Sequence, residues 1–270
     1  MTTTELLLDA PDPRSPQRAR YRLTLAGDAT EVAAAQHLRH RIFSEEFGAS
    51  TPGPELLDAD EFDDHCDHLI VWHEQTDPDR GALHTTGREA VATYRLLPAH
   101  SNDADPRSAG LYSGGEFDLT PLEPLLSSAV EAGRSCVAAE HRSGTAVSLL
   151  WGGIARYMHL AGYRYLLGCA SISLADGGGN AAAFADLAAA RHLAAPELRC
   201  VPHRPLPLDG LPRPARAVIP PLLRGYLRLG AVVCGAPAHD PEFGTADFLV
   251  LLDLDNTDRR YLRFFLGGSS

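Results

Sequence analysis

One segment of the chain, Glu131–Ala146, combines polar side chains with the end of an apolar strand and the beginning of a helix. Val130–Ala138 has the apolar content of a strand, and from Gly144 onward apolar residues recur at helical spacing. Where a strand leads into a helix, the first backbone N–H groups can bind a phosphate, a pantetheine amide or a developing oxyanion. A glycine at such a junction is also common in purely structural turns. The segment is therefore a candidate anion-binding loop, with a structural turn as the alternative.

Three other groups of residues suggest chemistry on first inspection. His65, Cys66 and His68 resemble zinc ligands, but no second Cys or His pair follows at finger spacing, and catalytic zinc needs three well-placed ligands. Cys136 carries a thiol, but it lies in an apolar strand where a buried cysteine is ordinary packing. The turn Asp176–Gly179 lacks the spacing of a nucleotide-binding loop. We therefore expect no metal site, no cofactor and no covalent enzyme intermediate.

Composition narrows the class of protein further. The 270 residues contain no lysine, which excludes Schiff-base chemistry and Walker-type phosphate loops. A hydrophobic content of 44% indicates a globular chain with its own core, and a net charge of -11 argues against nucleic-acid binding. Five widely spaced cysteines predict reduced thiols. No apolar run reaches the roughly 18 residues of a membrane span, and the first residues lack a signal peptide, so we expect a cytoplasmic location.

Strands and helices alternate along the chain, and this order predicts an α/β (α+β) fold with a mixed twisted sheet flanked by helices. Alternation at Arg22–Ala26 predicts a strand, and Asp28 is placed to cap the helix that follows. His68–His73 and Val91–Leu97 predict paired strands. The remaining predicted elements are the Val130–Ala138 strand, a helix from Gly144 to Gly162, a strand at Tyr165–Ser171, an alanine-rich helix ending near Leu193, a helix at Pro221–Leu229, and strands at Ala231–Gly235 and Phe248–Leu254.

The beginning of the chain has a different composition. Residues 1–20 contain Pro11, Pro13 and Pro16 among polar residues and show no sustained periodicity. We therefore predict a flexible tail over 1–20 and one domain over 21–270.

Several motifs, taken in order, give the anion-binding loop a more specific meaning. His141–Ala146 resembles the pyrophosphate loop of GNAT acyltransferases, with His141 in place of the usual Arg or Gln. A wider set resembles the bacterial ornithine N-acyltransferase family, which makes lyso-ornithine lipid, over roughly Tyr21 to Tyr261. These motifs are Leu38–Phe43, Asp60–Asp63, Cys66–Val71, Thr93–Leu97, Tyr112–Ser113, Glu116–Leu119, Glu131–Val137, Leu149–Trp151, Pro220–Gly230 and, towards the end of the chain, Asp240, Glu242–Phe243 and Thr245–Asp247. The same positions in the first half are similar to acyl-homoserine lactone synthases, which are also GNAT-like.

This resemblance implies a single GNAT-like domain and a reaction. A long fatty acyl group, 3-hydroxylated in one version of the reaction, would move from acyl carrier protein (ACP) to the α-amine of ornithine, giving lyso-ornithine lipid. Acyl-ACP, in preference to acyl-CoA, would be the donor substrate and ACP the protein partner, with contact to the inner membrane face as an additional expectation. Because an ammonium is no nucleophile, a carboxylate has to take its proton before the amine attacks the thioester.

The resemblance also assigns roles to individual residues. Glu131 is the candidate base, and Arg134 completes the Glu-x-x-Arg motif of the autoinducer synthases; a simple salt bridge between the two is the alternative. On the acceptor side, Asp60 and Asp63 would bind the amino group of the acceptor. Arg39, Arg41 and Arg95 would bind its carboxylate. The alternative is that the two aspartates cap a loop and that Arg39 and Arg41 lie on a solvated helix face. The full acceptor-side set is Arg39, Arg41, Phe43, Asp60, Asp63, Arg95 and Phe117. The donor-side set is Ser135, Cys136, Val137, Arg142 and Gly144.

Other functions stay open at this point. Another amino acid can replace ornithine as acceptor, since N-acyl amino acid synthases share this general design. A non-catalytic module that binds acyl-ACP or lipid is a second possibility, against which the retention of Glu131 and Arg134 argues. A metal-dependent protein is a third. Val147, Leu150, Trp151 and Ile154 are candidates for the wall of an acyl-chain tunnel, with plain core packing as the alternative.

Overall fold

The computed structural model describes residues 5–47, 56–77, 85–99, 110–142 and 144–257. The strands are β1 Glu5–Pro11, β2 Ala19–Leu25, β3 Asp67–Thr76, β4 Thr85–Pro98, β5 Phe117–Asp118, β6 Ala129–Val137, β7 Tyr165–Ser173, β8 Val201–Pro202, β9 Val232–Val233, β10 Ala238–Asp240 and β11 Thr245–Asp253. The helices are α1 Ala29–Phe47, α2 Tyr112–Glu116, α3 Glu123–Leu126, α4 Thr145–Ala161, α5 Gly179–Arg191 and α6 Pro221–Arg228. Two compact units are present where the sequence predicts one domain. Unit 1 takes in 1–97, 133–161 and 262–270, and unit 2 takes in 98–132 and 162–261.

In unit 1, strands β1, β2, β3 and β4 pair in this order, all antiparallel. Helix α4 packs against β1, β2 and β3, and α1 packs against β3. The contact between α4 and β2 is close, because a side chain on Gly153 would collide with Leu23. The predicted start of α1 is confirmed, since Asp28 Oδ1 accepts the Glu31 N–H at 3.0 Å and caps the helix.

The flexible tail predicted for residues 1–20 is wrong for residues 5–20. Strand β1 pairs with β2 from Glu5 opposite Leu25 to Pro11 opposite Arg20, and β2 itself begins at Ala19. Leu7 is the one residue of β1 whose side chain is buried in the core. The strand is therefore held mainly by backbone hydrogen bonds, which leave no alternating pattern in the sequence.

Unit 2 contains a mixed sheet. The beginning of β6 runs parallel to β7, from Ala129 opposite Tyr165 to Glu131 opposite Leu167, and β7 pairs antiparallel with β11 over nine residues. Strands β9 and β10 pair with β11, and β5 and β8 form a separate two-stranded ribbon. The core of this unit includes Phe117, Leu122 and Leu251.

Strand β6 supplies residues to both units, 129–132 to unit 2 and 133–137 to unit 1. It is distorted at Arg134, whose φ of 49° lies in the left-handed region that side chains other than glycine rarely adopt. Within unit 2, the Ala132 carbonyl oxygen lies where a side chain on Gly168 would be, so β6 and β7 approach closely there. The candidate base therefore lies on a strand whose backbone is distorted three residues further on.

The element predictions for the second half hold in outline. The helix ending at Gly162 is confirmed, since Gly162 has a φ of 76°. Besides β1, the helices and strands that the sequence did not predict are short, namely α2, α3, β5, β8 and β10. Within the described residues, none of the helices combines the length and the apolar content needed to cross a membrane.

Candidate active site

Arg39 of α1 is the centre of a buried ionic cluster in unit 1. Its side chain is fully buried, Nε donates to Asp58 Oδ2 at 2.9 Å, and Nη2 donates to both oxygens of Asp63 at 2.9 Å. Nη2 also donates to the Asp58 backbone carbonyl. An arginine is suited to this position because its planar group donates in several fixed directions at once. The guanidinium thus holds the 58–63 segment against α1.

Two further arginines complete the cluster. Arg95 of β4 donates from Nη1 to Asp60 Oδ1 at 2.5 Å and to Asp63 Oδ2 at 3.4 Å. Arg134 of β6 donates from Nη2 to Asp60 Oδ2 at 3.1 Å, and its Nε lies 3.8 Å from Asp58 Oδ2. Three guanidinium groups and three carboxylates therefore interlock, as the ion pairing of buried charges requires.

The charge state of the cluster follows from its geometry. Burial opposes ionisation of Asp60, but Arg95 and Arg134 outweigh it and hold the pKa of Asp60 below its ordinary value. The side chain of His68 is next to this cluster, with its Nε2 3.3 Å from the Asp63 carbonyl oxygen. Burial lowers the pKa of His68, so this imidazole is neutral near pH 7.

The structure brings together five of the predicted acceptor-side and catalytic residues, namely Arg39, Arg95, Asp60, Asp63 and Arg134. The solvated helix face considered as an alternative is wrong for Arg39, which is buried, and it is correct for Arg41, which is exposed and 3.7 Å from Glu89. Phe43 is half-buried on α1. Phe117 belongs to the core of unit 2. Substrate contact by any of these residues stays a prediction.

Two members of the cluster were not predicted. Asp58 lies just before the Asp60–Asp63 motif, and the sequence places His68 in the Cys66–Val71 motif and among possible zinc ligands, with no role beside the arginines. Their signal in the sequence is the high density of charged residues between Asp58 and His68, which precedes a buried strand. No group of three or more His, Cys, Asp or Glu side chains in the described ranges is arranged to hold a metal ion.

Glu131 of β6 lies in unit 2, where it is the last residue paired with β7. Its side chain is buried, with Oε2 accepting the Tyr112 N–H at 2.7 Å and Oε1 accepting the Ser113 N–H at 2.7 Å. The Ser113 hydroxyl also donates to Oε1. Helix α2, a single turn that the sequence did not predict, thus fixes the position of the carboxylate. Ser113 Oγ in turn lies 3.5 Å from Cys169 Sγ.

The donor-side residues follow the strand–turn–helix path that the sequence predicts, although Ser143 lies outside the described residues. Ser135 and Val137 are half-buried and Cys136 is buried. Arg142 is exposed and donates from Nε to the Val137 carbonyl at 3.0 Å. Gly144 adopts a φ of 101° immediately before α4. The first N–H groups of α4 have no acceptor inside the helix and can bind an anion or a carbonyl oxygen.

His141, the unusual first residue of this loop, belongs to a second group of side chains in unit 1. Its Nδ1 lies 2.9 Å from the Tyr21 hydroxyl, and its ring lies 5.0 Å from the ring of His73. Burial, the neighbouring His73 and Arg14 all lower the pKa of His141. A neutral imidazole therefore occupies the position where the related loops usually have a cation or an amide.

The candidate tunnel residues divide into two pairs. Leu150 and Ile154 are buried on α4, which packs against β1, β2 and β3. Val147 and Trp151 are half-buried. Core packing therefore accounts for the first pair.

Comparison with known proteins identifies the family to which this chain belongs. Residues 38–152 match the family model described as an acetyltransferase (GNAT) domain. The chain is 34% identical over 257 residues to the L-ornithine N(alpha)-acyltransferase of Brucella abortus (strain 2308), covering 89% of this chain and 87% of that protein. It is also 34% identical over 254 residues to the enzyme of the same name from Rhodobacter capsulatus, covering 91% and 94%.

Among solved structures, the chain is similar to a CoA-dependent acyl-homoserine lactone synthase, MesI, with a TM-score of 0.48, 14% identity and coverage of 89% of this chain and 90% of that one. The family match and the mixed sheet with flanking helices confirm the predicted fold class. The extent and level of identity to the curated enzymes also confirm that the protein is an acyltransferase. The chain belongs to the L-ornithine N(alpha)-acyltransferase family.

Proposed function

We propose that this protein transfers a long-chain fatty acyl group from acyl-ACP to the α-amine of ornithine, with lyso-ornithine lipid as the product. The observation that carries the proposal is the identity of about a third, over about nine-tenths of the chain, to enzymes named for acylation of the ornithine α-amine. Another amino acid as acceptor is the second candidate, because the α-amine chemistry is the same for all amino acids.

In the proposed reaction, Glu131 accepts one proton from the α-ammonium, directly or through a water molecule. The neutral nitrogen forms a C–N bond with the thioester carbonyl carbon, and the C–S bond breaks to release the carrier thiolate. The thiolate takes the second nitrogen proton, and the proton held by Glu131 passes to solvent. A fixed carboxylate favours this step because it is positioned before the amine arrives. The three hydrogen bonds from Tyr112 and Ser113 supply that fixation.

The Arg–Asp cluster has a positioning role in this proposal. Arg39, Arg95 and Arg134 are all engaged with aspartates, so the cluster is suited to holding α1, the 58–63 segment, β4 and the end of β6 in register. Among its carboxylates, Asp60 is the most exposed.

The donor thioester would lie along β6 and the beginning of α4. There the N–H groups of the first helical turn are suited to a phosphopantetheine phosphate or to the developing oxyanion. Gly144, with its positive φ, lets the chain turn into α4 without a side chain at the loop surface.

The experiment is incubation of the purified protein with long-chain acyl-ACP and, separately, acyl-CoA, each with a panel of amino acids, followed by mass spectrometry. Acyl-ornithine formation is the expected result, with a loss of at least a hundredfold, on the order of general-base effects, in Glu131→Gln. The matched control is Glu123→Gln, an exposed position in unit 2. Acylation of a different amino acid would replace the acceptor, and no acylation of any amine would overturn the proposal.

A further inference from the structure

Three carboxylates of unit 2 lie outside the site described above. Asp240 of β10 and Asp247 of β11 are 5% and 2% exposed. Asp240 pairs directly with Thr245, two residues before Asp247 on the same strand. Because side chains alternate along a strand, Asp240, Thr245 and Asp247 lie on one face of the sheet. The third carboxylate is Glu116, the last residue of α2.

This face of the sheet continues to the candidate base. Ser171 pairs with Asp247 and Cys169 pairs with Leu249, so Cys169, Ser171 and Asp247 share the face. Ser113 Oγ is 3.5 Å from Cys169 Sγ and donates to Glu131. Ser113 and Glu116 are three residues apart in α2 and therefore lie on the same side of that helix. The acidic group thus begins one helical turn from the residue that holds Glu131.

The three carboxylates affect one another. Burial, then Asp247 and Asp240, raise the pKa of Glu116, and burial raises the pKa of Asp247, with Asp240 adding to it. Burial and the charges of Asp247, Glu131 and Glu116 also raise the pKa of the Cys169 thiol. Two carboxylates of the acidic group, those of Glu116 and Asp247, therefore act on Cys169 together with that of Glu131.

The three carboxylates differ in how many hydrogen-bond donors they have. Asp240 Oδ1 accepts the N–H groups of Glu242 and Phe243 at 2.8 and 3.1 Å, and Asp247 Oδ1 accepts the Thr245 hydroxyl at 2.9 Å. Glu116 Oε2 is completely shielded from solvent and has no hydrogen-bond donor. An unsatisfied buried carboxylate oxygen is costly, so one in a native protein calls for a ligand or another explanation.

Positive charge near the group is sparse. Within the described ranges, the cation at ion-pair distance is Arg204, whose Nη2 lies 3.9 Å from Glu116 Oε1 and whose side chain is 61% exposed. Three carboxylates with one largely exposed counterion favour the binding of an additional cation. Ser171, opposite Asp247, is exposed, so solvent and solutes reach this face beside the group.

We propose that Glu116, Asp240 and Asp247 bind the side-chain ammonium of the acceptor amino acid and so select a diamino acid. The inference rests on the proposed function, in which Glu131 serves the α-amine. In ornithine four carbon atoms separate the two nitrogens, and one helical turn separates Ser113 from Glu116, so one extended molecule is long enough to reach from Glu131 to the group. Charge-assisted hydrogen bonds to Glu116 Oε2 then supply its missing donor.

The test compares ornithine with norvaline, which has the same carbon skeleton without the side-chain amine. The wild-type protein is expected to acylate ornithine with a kcat/KM at least about tenfold above that for norvaline. In Glu116→Gln and Asp247→Asn, the KM for ornithine is expected to rise about ten- to a hundredfold while kinetics with norvaline stay unchanged, so the preference disappears. Glu123→Gln, exposed in the same unit, is the matched control.

A second readout does not depend on turnover. Ornithine, but not norvaline, is expected to raise the melting temperature of the wild-type protein, and Glu116→Gln is expected to lose this shift while melting at or above the wild-type temperature without ligand. Equal use of ornithine and norvaline by the wild type, or equal losses with both in Glu116→Gln, would overturn the inference and leave acyl transfer intact. A Glu116-dependent shift by ornithine without any acylation would support the inference and overturn the proposed function.

Discussion

Arg134 donates from Nη2 to Asp60 Oδ2 at 3.1 Å across 74 positions of sequence. The two residues belong to a predicted catalytic motif and a predicted acceptor motif, and the ion pair joins them physically. It also holds Arg134 in a backbone conformation that is unfavourable for any residue except glycine. The cluster around Asp60 therefore fixes the shape of β6 beyond Glu131.

The buried cluster should be essential for stability. Replacing Arg39 with Met removes its hydrogen bonds to Asp58 and Asp63 and leaves those carboxylates without this partner, so the free energy of unfolding should fall by about 3–5 kcal/mol. Arg41→Met on the same helix is the matched control. Its exposed pair with Glu89 is worth about 0–0.5 kcal/mol. Urea denaturation measures both, and equal effects of the two substitutions would refute the positioning role of Arg39.

The backbone at Arg134 gives a prediction that separates conformation from charge. Arg134→Gly and Arg134→Ala both remove the ion pairs, but only glycine accepts a φ of 49° without strain. The glycine variant should therefore be more stable than the alanine variant by about 1 kcal/mol. At Arg41, in the middle of α1, the alanine variant should instead be more stable than the glycine variant, by about 1 kcal/mol. Denaturation midpoints of the four variants test this, and an alanine variant at 134 as stable as the glycine variant would contradict it.

Close approach of β6 and β7 makes Gly168 sensitive to any side chain. Gly168→Ala places a methyl group against the Ala132 carbonyl oxygen, and it should cost about 1–3 kcal/mol of stability because β6 has to move. Because Glu131 directly precedes Ala132 in β6, the acyltransferase activity of Gly168→Ala should fall as well. Gly133→Ala has open space around the added carbon and is the control. Thermal unfolding and initial rates of both variants check this, and a Gly168→Ala protein indistinguishable from the control would contradict the close packing.

Asp12 should make the protein sensitive to acid. Its side-chain hydrogen bond with Arg14 is the main cause that lowers the pKa of Asp12 from 3.8 to about 2. Because the folded pKa is below the unfolded pKa, the contribution to stability is present above pH 4 and is lost as the pH falls through about 2. In Asp12→Asn, stability should be reduced at pH 6 and should match the wild type near pH 2. Stability curves measured by denaturation between pH 2 and 7 test this, and curves that stay parallel over the whole range would exclude the effect.

Much of the fold could be read from the sequence because its central elements leave clear patterns. The apolar runs of β3, β4 and β6 and the cap at Asp28 predict elements that the structure confirms. Strand β1 was missed because its stability comes from backbone pairing with β2. Helix α2, which holds Glu131, is five residues long and contains two glycines, so no periodicity is available to reveal it.

The sequence identifies most residues of the candidate site, but it does not predict how their side chains contact one another. Spacing and resemblance identify Arg39, Asp60, Arg95 and Arg134, but nothing in the sequence indicates that these arginines are engaged with aspartates. Glu116, Asp240 and Asp247 belong to separate family motifs in the sequence, and nothing there indicates that they form one acidic group. Glu116 is more than 100 positions away from Asp240 and Asp247, and only strand register and the α2 turn bring the three together.

The most direct test of the central claim is to follow release of the ACP thiol together with the position of the acyl group. Purified protein, long-chain acyl-ACP and ornithine should give one thiol for each acyl-ornithine formed, and tandem mass spectrometry should locate the acyl group on the α-nitrogen. Glu131→Gln should lose both signals together. Thiol release without an ornithine product, or acylation at the side-chain nitrogen, would contradict the proposed reaction.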